Sequence, residues 1–384
     1  MARALYIHWP YCLAKCPYCD FNSHVRNSPD IAEWRAALLA DMRFEHAQTG
    51  SEQSLTSIFF GGGTPSLMPP SLVADLLNEA ERLWGFDGAI EITLEANPSS
   101  VEAANFADLA AAGVDRVSLG VQSLRDEALR FLGRLHGAEE ALKALDVAQR
   151  HFGRVSIDLI YARPGQSESD WQAELGEALA LGTRHMSLYQ LTIEPSTRFA
   201  TDVRRGVFDP LDDDRAADLF ALTRAMTDAA GLPAYEISNH ASPGEESRHN
   251  LTYWRYQDYV GIGPGAHGRR CDTATVRHRK PENYLAAAAK QEHGIAEARG
   301  LETAEQASEA LLMGLRLAEG IDVAALARRF GVAPGALLDQ SKLTLYRDLG
   351  LAWREGDRVG VTPRGMPLLD ALLGELVEAD LVTS

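Results

Sequence analysis

The chain is poor in cysteine, in positive charge and in long apolar runs. Its 384 residues include four cysteines, and 37 Lys and Arg stand against 54 Asp and Glu, which gives a formal net charge of −17 at pH 7. So few cysteines in so long a chain argue against a disulfide scaffold. The acidic balance argues against nucleic acid as the main partner, because that binding depends on Lys and Arg. No apolar run could cross a bilayer and the N-terminus lacks a secretory signal, so we expect a cytoplasmic protein with reduced cysteines.

Three of the four cysteines, Cys12, Cys16 and Cys19, lie in one C-x3-C-x2-C segment near the N-terminus. Thiolates spaced this closely can face a common centre, and they select iron–sulfur clusters, zinc or copper. A closed zinc site needs four ligands, so zinc with His8 or His24 as the fourth ligand stays open as an alternative. Three structural cysteines are a further alternative. We favour a four-iron cluster, in which three protein ligands leave one iron open to a small molecule.

The cysteine segment resembles the signature of the radical S-adenosylmethionine (radical SAM) superfamily. The longer string LYIHWPYC, residues 5–12, is similar to the oxygen-independent coproporphyrinogen oxidases and their relatives, the HemW family of heme chaperones. The resemblance runs from Tyr6 to the C-terminal region. It implies a 4Fe-4S cluster on the three cysteines, with S-adenosylmethionine (SAM) chelating the fourth iron through its amino and carboxylate groups.

Strand-like runs alternate with helical patterns through the first two-thirds of the chain, which predicts an α/β fold with a parallel sheet. The predicted strands are Leu5–His8, Ser57–Phe60, Ile90–Leu94, Arg116–Gly120, Val155–Tyr161, Met186–Leu191 and Ala234–Ser238. Helical patterns cover Ile31–His46, Ser71–Leu83 and Ala138–Arg150. Residues able to bind or react follow the strands, as in a (β/α) barrel. The resemblance implies a partial, TIM-like (β/α)6 barrel, which we assign to residues 1–240.

The pattern changes from about Leu301. Helices are predicted at Thr303–Leu317, Val323–Phe330 and Pro334–Leu349, followed by a hairpin at Leu351–Val361 and a last helix from about Arg364. This order predicts a winged-helix-like α+β domain of the HemN C-terminal type over residues 301–384, joined to the barrel by a heme-motif and connecting segment over residues 241–300. The acidic balance and the apolar last helix favour packing against the barrel over DNA contact.

Candidate SAM-binding residues come just after the predicted strands. A glycine run, Gly61-Gly62-Gly63-Thr64-Pro65, follows the second strand, and glycines let backbone groups approach a ligand closely. Arg134 can pair a carboxylate, and Asp158 lies in an apolar run where it needs a partner. A helix or loop cap served by Glu95 or Asn97 stays open as the alternative. The resemblance places around SAM the residues Gly62, Gly63, Thr64, Glu95, Gln122, Arg134 and Asp158, with Tyr6, Tyr189 and Gln190 as weaker candidates and Tyr18 over the adenine.

The segment Arg248–Tyr256 resembles the HNRxYW motif that the HemW family associates with heme binding. The resemblance implies heme contacts from His249, Asn250, Tyr253 and Trp254, with a neutral imidazole nitrogen toward iron and aromatic rings against the porphyrin. Leu251 stands where the motif has arginine, which puts in doubt an arginine contact such as one to a propionate. A loop with a hydrogen-bonded histidine and aromatics that plug the barrel stays open as the alternative. The glycine-rich string Gly261–Gly268 indicates backbone packed closely on a cofactor.

Two functions fit the resemblance. One is a chaperone that binds cluster, SAM and heme and transfers heme to an unidentified acceptor protein, respiratory or membrane-associated. The other is the radical SAM oxidative decarboxylation of coproporphyrinogen III in porphyrin metabolism. The oxidases resemble C-x3-C-x2-C-x-C and carry a long N-terminal extension, whereas Phe21 replaces their fourth cysteine here and the motif already begins at Tyr6. Both differences favour a chaperone over an enzyme. Radical modification of tRNA is a third hypothesis, which the net charge disfavours.

Overall fold

A computed structural model of the chain describes residues 3–26, 29–50 and 52–377. Its strands are β1 (Ala4–Trp9), β2 (Tyr11–Cys12), β3 (His24–Val25), β4 (Leu55–Gly62), β5 (Phe86–Ala96), β6 (Arg116–Gln122), β7 (Arg154–Tyr161), β8 (His185–Gln190), β9 (Asn239–Ala241), β10 (Tyr259–Ile262), β11 (His267–Arg270), β12 (Thr273–Arg277), β13 (Ile295–Gly300), β14 (Ile321–Asp322), β15 (Ala352–Glu355) and β16 (Arg358–Val361).

The helices connect these strands and cover the sheet. They are α1 (Ile31–Thr49), α2 (Pro70–Trp84), α3 (Ser100–Ala103), α4 (Phe106–Ala111), α5 (Asp126–Phe131), α6 (Ala138–His151), α7 (Glu168–Leu179), α8 (Arg198–Arg204), α9 (Asp213–Ala229), α10 (Arg248–Trp254), α11 (Pro281–Gln291), α12 (Thr303–Gly314), α13 (Val323–Phe330), α14 (Gln340–Asp348) and α15 (Leu369–Leu376), with 3-10 turns at Pro65–Leu67, Pro334–Ala336 and Met366–Leu368. Within the described residues, no helix combines the length and the apolar character needed to cross a membrane.

One large sheet organises the first three hundred residues. Its order is β13-β12-β11-β10-β1-β4-β5-β6-β7-β8-β9. The strands β1 and β4 to β8 run parallel and are joined by helices, so the predicted six-unit arrangement of a partial barrel is confirmed. The sheet also continues through β10 to β13, beyond the predicted boundary at residue 240. The domain limits at residues 240 and 300 stay predictions, and residues 378–384 of the last segment lie outside the described part.

The predicted strand Ala234–Ser238 is wrong. Ala234 makes only an isolated bridge with His240, and the strand at this edge is β9. The chain turns back between them, because the Asn239 carbonyl accepts a hydrogen bond from the Tyr235 N–H (3.1 Å) and the Glu236 carboxylate accepts from the Ser238 N–H (3.2 Å). Side-chain hydrogen bonds thus stabilise a turn in a segment whose residue types suit a strand.

Alternation along the parallel strands separates an apolar outer face from a polar interior. In β1, Leu5, Ile7 and Trp9 are buried and belong to the core shared with the surrounding helices. Trp9, for example, packs edge-on against Trp34 of α1, with ring centroids 5.4 Å apart. Tyr6 of the same strand points the other way, into the barrel, where its ring stacks on that of Phe59.

The C-terminal part has a three-stranded antiparallel sheet, β14-β16-β15, and its own apolar core with α12 to α15. The predicted helix Val323–Phe330 coincides with α13. The predicted helix Pro334–Leu349 is wrong in its first part, because Asp339 caps the backbone N–H groups of Ser341 and Lys342 and α14 begins only at Gln340. The last helix begins at Leu369 rather than near Arg364.

Candidate functional site

The carboxyl ends of the parallel strands surround a cavity of about 450 Å³. All three clustered cysteines line it from the loop between β1 and α1. The predicted SAM residues that also line this cavity are Tyr18, Gly62, Gly63, Thr64, Glu95, Gln122, Arg134, Asp158, Tyr189 and Gln190. Because the ends of parallel strands meet at one edge, residues far apart in sequence reach the same space. The cavity therefore brings the cysteines and most of the predicted SAM residues together.

Each cysteine sulfur has its own polar neighbour. The Thr64 hydroxyl donates to Cys12 Sγ (3.5 Å), the Arg134 guanidinium donates to Cys16 Sγ (3.3 Å), and Cys19 Sγ lies 3.9 Å from the Ser23 hydroxyl. Within the described residues, no group of three or more His, Cys, Asp or Glu side chains is already arranged around a metal-ion position. Thiolates repel one another and converge when a metal binds. Three soft donors on one loop, with hydrogen-bond donors beside them, fit an iron–sulfur cluster.

The glycine run packs against neighbouring parts of the protein as well as lining the cavity. A Cβ atom on Gly61 would lie 2.8 Å from the Tyr6 ring, and one on Gly62 would lie 2.5 Å from the His8 ring. A Cβ atom on Gly63 would lie 2.7 Å from the Tyr11 carbonyl oxygen. Gly62 also has a φ of +114°, which side-chain-bearing residues rarely adopt. β1 and the start of the cysteine loop therefore pack directly on the glycines that line the cavity.

Two half-buried carboxyl groups, Glu95 and Asp158, line the cavity close enough to interact electrostatically. Burial raises the pKa of Glu95, and the nearby Asp158 adds a smaller increase, to a value of about 8. Burial also raises the pKa of Asp158, although the Ser118 hydroxyl donates to its Oδ1 (2.9 Å). The Gly62 N–H donates to Glu95 Oε2 (3.3 Å). A positively charged group bound here would favour the ionised carboxylates and lower both pKa values.

Arg134 connects the cysteine loop with the ends of β5 and β6. Its Nη2 donates to Asn97 Oδ1 (2.5 Å) and to the Gly120 carbonyl (2.9 Å), and its Nη1 also contacts the Tyr18 hydroxyl (3.4 Å). The Asn97 amide in turn donates to Thr64 Oγ1 (3.1 Å). Sequence reasoning considered Asn97 only as a cap, and its place directly after a predicted strand was the available signal for a site role.

Two of the weaker SAM candidates differ in position. Gln190 lines the cavity, but its amide donates to the Ala216 carbonyl (2.7 Å). Tyr6 does not line the cavity: its hydroxyl bonds His8 Nδ1 (3.0 Å), and His8 Nε2 bonds the Asn22 carbonyl oxygen (2.9 Å). Because a carbonyl can only accept, His8 carries its proton on Nε2 and the Tyr6 hydroxyl donates to Nδ1. Tyr6 thus reaches the cysteine loop through His8.

The glycine-rich string predicted to meet a cofactor forms the turn between β10 and β11 and does not line the cavity. A Cβ atom on Gly263 would lie 2.3 Å from the His8 carbonyl oxygen, and one on Gly265 would lie 2.6 Å from Asn22 Nδ2. The same Asn22 amide donates to the carbonyls of Pro264 and Arg279, both at 2.8 Å. These glycines allow the turn to hold the end of the cysteine loop.

The heme-motif helix α10 lies at the opposite end of the barrel. His249 is 1% exposed and both its ring nitrogens are engaged, Nδ1 with the Ser57 hydroxyl (3.1 Å) and Nε2 with the Tyr253 hydroxyl (2.7 Å). Its ring stacks on Phe59, with centroids 5.0 Å apart. Burial lowers the pKa of His249 to about 3, so the imidazole is neutral. Ser57 precedes Gly62 by five residues on β4, so about 16 Å separates the two sites.

The other heme-motif residues hold α10 in place. The Glu91 carboxylate accepts from the backbone N–H groups of Arg248 and His249, both at 3.2 Å. The Asn250 side chain meets the Tyr235 hydroxyl. Trp254 is half-buried at the end of α10, where its carbonyl lies beside Gly314 of α12. The helix therefore closes the amino end of the barrel, and the structure does not bring its residues to the cysteine cavity.

Comparisons with known proteins agree on the superfamily. The model of the radical SAM superfamily matches residues 6–176, and that of the HemN C-terminal domain matches residues 301–368. Heme chaperone HemW of Bacillus subtilis is 33% identical over 97% of this chain and 100% of that protein. Heme chaperone HemW of Haemophilus influenzae is 43% identical over 69% of this chain and 70% of that protein.

Two further comparisons concern a mitochondrial relative and a solved structure. The bovine protein named radical S-adenosyl methionine domain-containing protein 1, mitochondrial, is 39% identical over 83% of this chain and 74% of its own length. Among solved structures, coproporphyrinogen III oxidase HemN from Escherichia coli superposes with a TM-score of 0.82 over 97% of this chain and 89% of that chain, at 19% identity. At that identity the likeness establishes a shared fold.

Proposed function

Because this chain belongs to the radical SAM superfamily and, within it, to the family of the proteins named heme chaperone HemW, we propose that it binds a 4Fe-4S cluster, SAM and heme and transfers heme to an acceptor protein. The observation that carries the proposal is the shared cavity, in which Cys12, Cys16 and Cys19 face Glu95 and Arg134. The proposal includes a cytoplasmic location, where thiols stay reduced as a cluster requires.

In this proposal the three cysteines hold the cluster, and SAM lies between the glycine run and the two carboxyl groups. The cluster supplies an open iron for the amino and carboxylate groups of SAM. Gly62 and Gly63 offer close backbone approach, Glu95 accepts from a ligand ammonium group, and Arg134 balances a ligand carboxylate. Tyr18, Thr64, Gln122, Asp158 and Gln190 complete the proposed SAM site, and Tyr6 supports it through His8.

The proposal for heme rests on the motif and on the names of the relatives. In the described arrangement His249 presents no ring nitrogen to an incoming iron, because Ser57 and Tyr253 engage both. Heme binding through His249, Asn250, Tyr253 and Trp254 therefore requires α10 to move away from the barrel. The hydrogen bonds of Glu91 to the start of α10 would have to break in that movement.

The position of Phe21 supports a chaperone over an oxidase. This side chain occupies the place of the oxidases' fourth cysteine, is 60% exposed and lines the cavity. A phenyl ring supplies no sulfur ligand and no proton. The acceptor of heme is unidentified, and we propose no nucleic-acid partner, in line with the net charge of −17.

The test is an anaerobic heme titration of cluster-reconstituted protein, followed by absorbance, with wild type, His249→Ala and His267→Ala. His267 is an exposed histidine outside the motif and serves as the control. We expect saturable binding of about one heme per chain in wild type and His267→Ala, and weaker binding in His249→Ala. Wild type without specific heme binding, or turnover of coproporphyrinogen III by the reconstituted protein, would overturn the chaperone.

A further inference from the structure

A second, smaller cavity of about 120 Å³ lies at the amino ends of β6, β7 and β8. It is about a quarter the size of the cysteine cavity, which excludes a porphyrin ring but leaves room for a carboxylate or a phosphate. Its polar lining includes the first residue of each of these strands, Arg116, Arg154 and His185, and residues of the loop before β8, with Gln149 and Glu245 beside them. We call it the floor cavity.

The lining of the floor cavity is rich in arginine although the chain is acidic. Three arginines, Arg116, Arg154 and Arg184, and one acidic residue, Glu245, line it, whereas the chain as a whole carries −17. His185 adds no charge, because its pKa lies well below the usual value. Burial is the main cause, and the nearby arginines lower the pKa further. Fixed cations around a small concave space concentrate anions there.

The three arginines differ in how far their donors are used. Each guanidinium nitrogen of Arg154 donates one hydrogen bond, to Glu91 (2.5 Å), Glu245 (2.8 Å) and the Glu246 carbonyl (3.0 Å). Arg116 is only 2% exposed, and among the described residues its side chain has a single hydrogen bond, to Thr93 Oγ1 (3.3 Å). A guanidinium has five N–H donors, so most of those of Arg116 remain to be satisfied.

Two further residues complete the cavity wall. Arg184 pairs with Glu245 (3.0 Å) near the surface, where its side chain is 70% exposed. Thr183 is among the residues that line the cavity, and no described group hydrogen-bonds to its hydroxyl although the residue is 93% buried. A buried hydroxyl without a partner costs free energy unless a ligand satisfies it.

We propose that the floor cavity binds one oxyanion group, a carboxylate or a phosphate, held by Arg116, Arg184 and the Thr183 hydroxyl. Two sources carry this chemistry: a free small oxyanion, or a propionate of a porphyrin bound at α10. The second source rests on the proposed function. It is supported by Arg154, which joins the cavity to Glu91 and so to the backbone of His249. The floor cavity also offers arginines near the heme motif, in which Leu251 stands where the motif has arginine.

The first experiment uses the full chain and inorganic phosphate. The apparent unfolding temperature is measured against phosphate concentration at constant ionic strength for wild type, Arg184→Gln, Thr183→Val and Arg198→Gln. Arg198 is the matched control, because it is 79% exposed and pairs with Asp202 on another face. We expect phosphate to stabilise wild type and Arg198→Gln, with about tenfold weaker binding in the other two variants.

Thr183→Val also separates binding from folding. Without phosphate this variant should be as stable as wild type or more stable, because it removes an unsatisfied buried hydroxyl. Loss of phosphate binding in a variant of undiminished stability supports the proposal, since misfolding would lower both.

The second experiment compares heme with its dimethyl ester, which lacks the free carboxylates. A wild-type preference for the free acid that disappears in Arg184→Gln assigns the cavity to a propionate, and phosphate binding without such a preference assigns it to a free oxyanion. Absence of phosphate binding together with equal binding of acid and ester would overturn the proposal. If wild type binds no heme at all, the proposed function fails, while the phosphate experiment still decides the floor cavity.

Discussion

Residues of the same kind have opposite electrostatic surroundings at the two ends of the barrel, and two glutamates on β5 show the contrast. Burial alone would raise the pKa of Glu91, but Arg116, Arg154 and two backbone N–H groups outweigh it, so its pKa lies below the ordinary value. Four residues along the strand, Glu95 has Asp158 as its charged neighbour and a pKa of about 8. One carboxylate is paired and structural, whereas among the described residues no Lys or Arg pairs with the other.

This difference indicates where a ligand is expected to complete the structure. At the amino end, α10 covers the barrel, His249 has partners on both nitrogens, and Glu91 is neutralised by arginine. At the carboxyl end, two carboxyl groups and three thiols surround an open space. Perturbed carboxyl groups in a cleft are typical of functional sites. We therefore expect substitutions at the carboxyl end to change the binding of the cluster and SAM, and substitutions in α10 to change its closure.

The largest expected effect is the loss of the cluster. Cys12→Ala, Cys16→Ala and Cys19→Ala should each lose the iron and the brown absorbance of reconstituted protein. Each variant leaves only two thiolates, which cannot hold the four-iron cluster that three thiolates hold. Iron per chain and the visible spectrum measure the loss.

Cys271→Ala is the matched control, since Cys271 is exposed and lies outside the cavity. It should retain both iron and colour. A colourless Cys271→Ala variant would contradict a three-cysteine site, and full iron content in any of the other three would remove that cysteine from it.

A smaller effect is expected in the pH dependence of cluster-free protein. In the unfolded chain Glu95 loses its proton near pH 4.5, but in the folded protein it keeps the proton until about pH 8. The folded state therefore binds more protons between these values, and the free energy of unfolding falls as pH rises through this range, by a few kcal/mol. Glu95→Gln has no carboxyl group at this position and therefore lacks this pH dependence. The difference in unfolding free energy between wild type and Glu95→Gln should decline up to about pH 8 and then level off.

Chemical denaturation at a series of pH values measures this difference. Asp158 and Tyr6 interact electrostatically with Glu95 and are present in both proteins. A difference that increases with pH would mean that Glu95 is held ionised, and the contrast with Glu91 would not hold.

The cysteine spacing and the strand ends, together with the family resemblance, predicted most of the residues that line the cysteine cavity. The cysteines are close in sequence, and Thr64, Glu95 and Gln122 lie at or just beyond strand ends, which a parallel sheet brings to one edge. Tyr6 was the exception, because a residue inside a strand reaches a site only through its neighbours. Its link to His8 depends on side-chain geometry that spacing does not encode.

The placement of α10 depends on contacts between distant parts of the chain. His249 meets Ser57 and Phe59, about 190 residues earlier, and Glu91 binds the start of its helix. A motif read along the sequence identifies the residue types but not the face of the barrel that they cover. The continuation of the sheet through β10 to β13 was missed for a related reason. These strands are short and follow the irregular heme-motif segment, and after β10, which pairs parallel with β1, each strand pairs antiparallel with the next.

The smallest predicted effect tests whether closure of α10 limits heme binding. Tyr253→Phe keeps the aromatic ring but removes the hydroxyl that engages His249 Nε2 (2.7 Å). The buried nitrogen then lacks a partner, which destabilises the closed arrangement by about 1 kcal/mol. If α10 must open before heme binds, the affinity for heme should rise by up to about fivefold while the unfolding temperature falls slightly. Tyr259→Phe is the control, because its ring packs on Tyr253 (4.5 Å) without a described hydrogen bond to His249. A loss of affinity in Tyr253→Phe as large as that in His249→Ala would instead assign the hydroxyl a direct contact with heme.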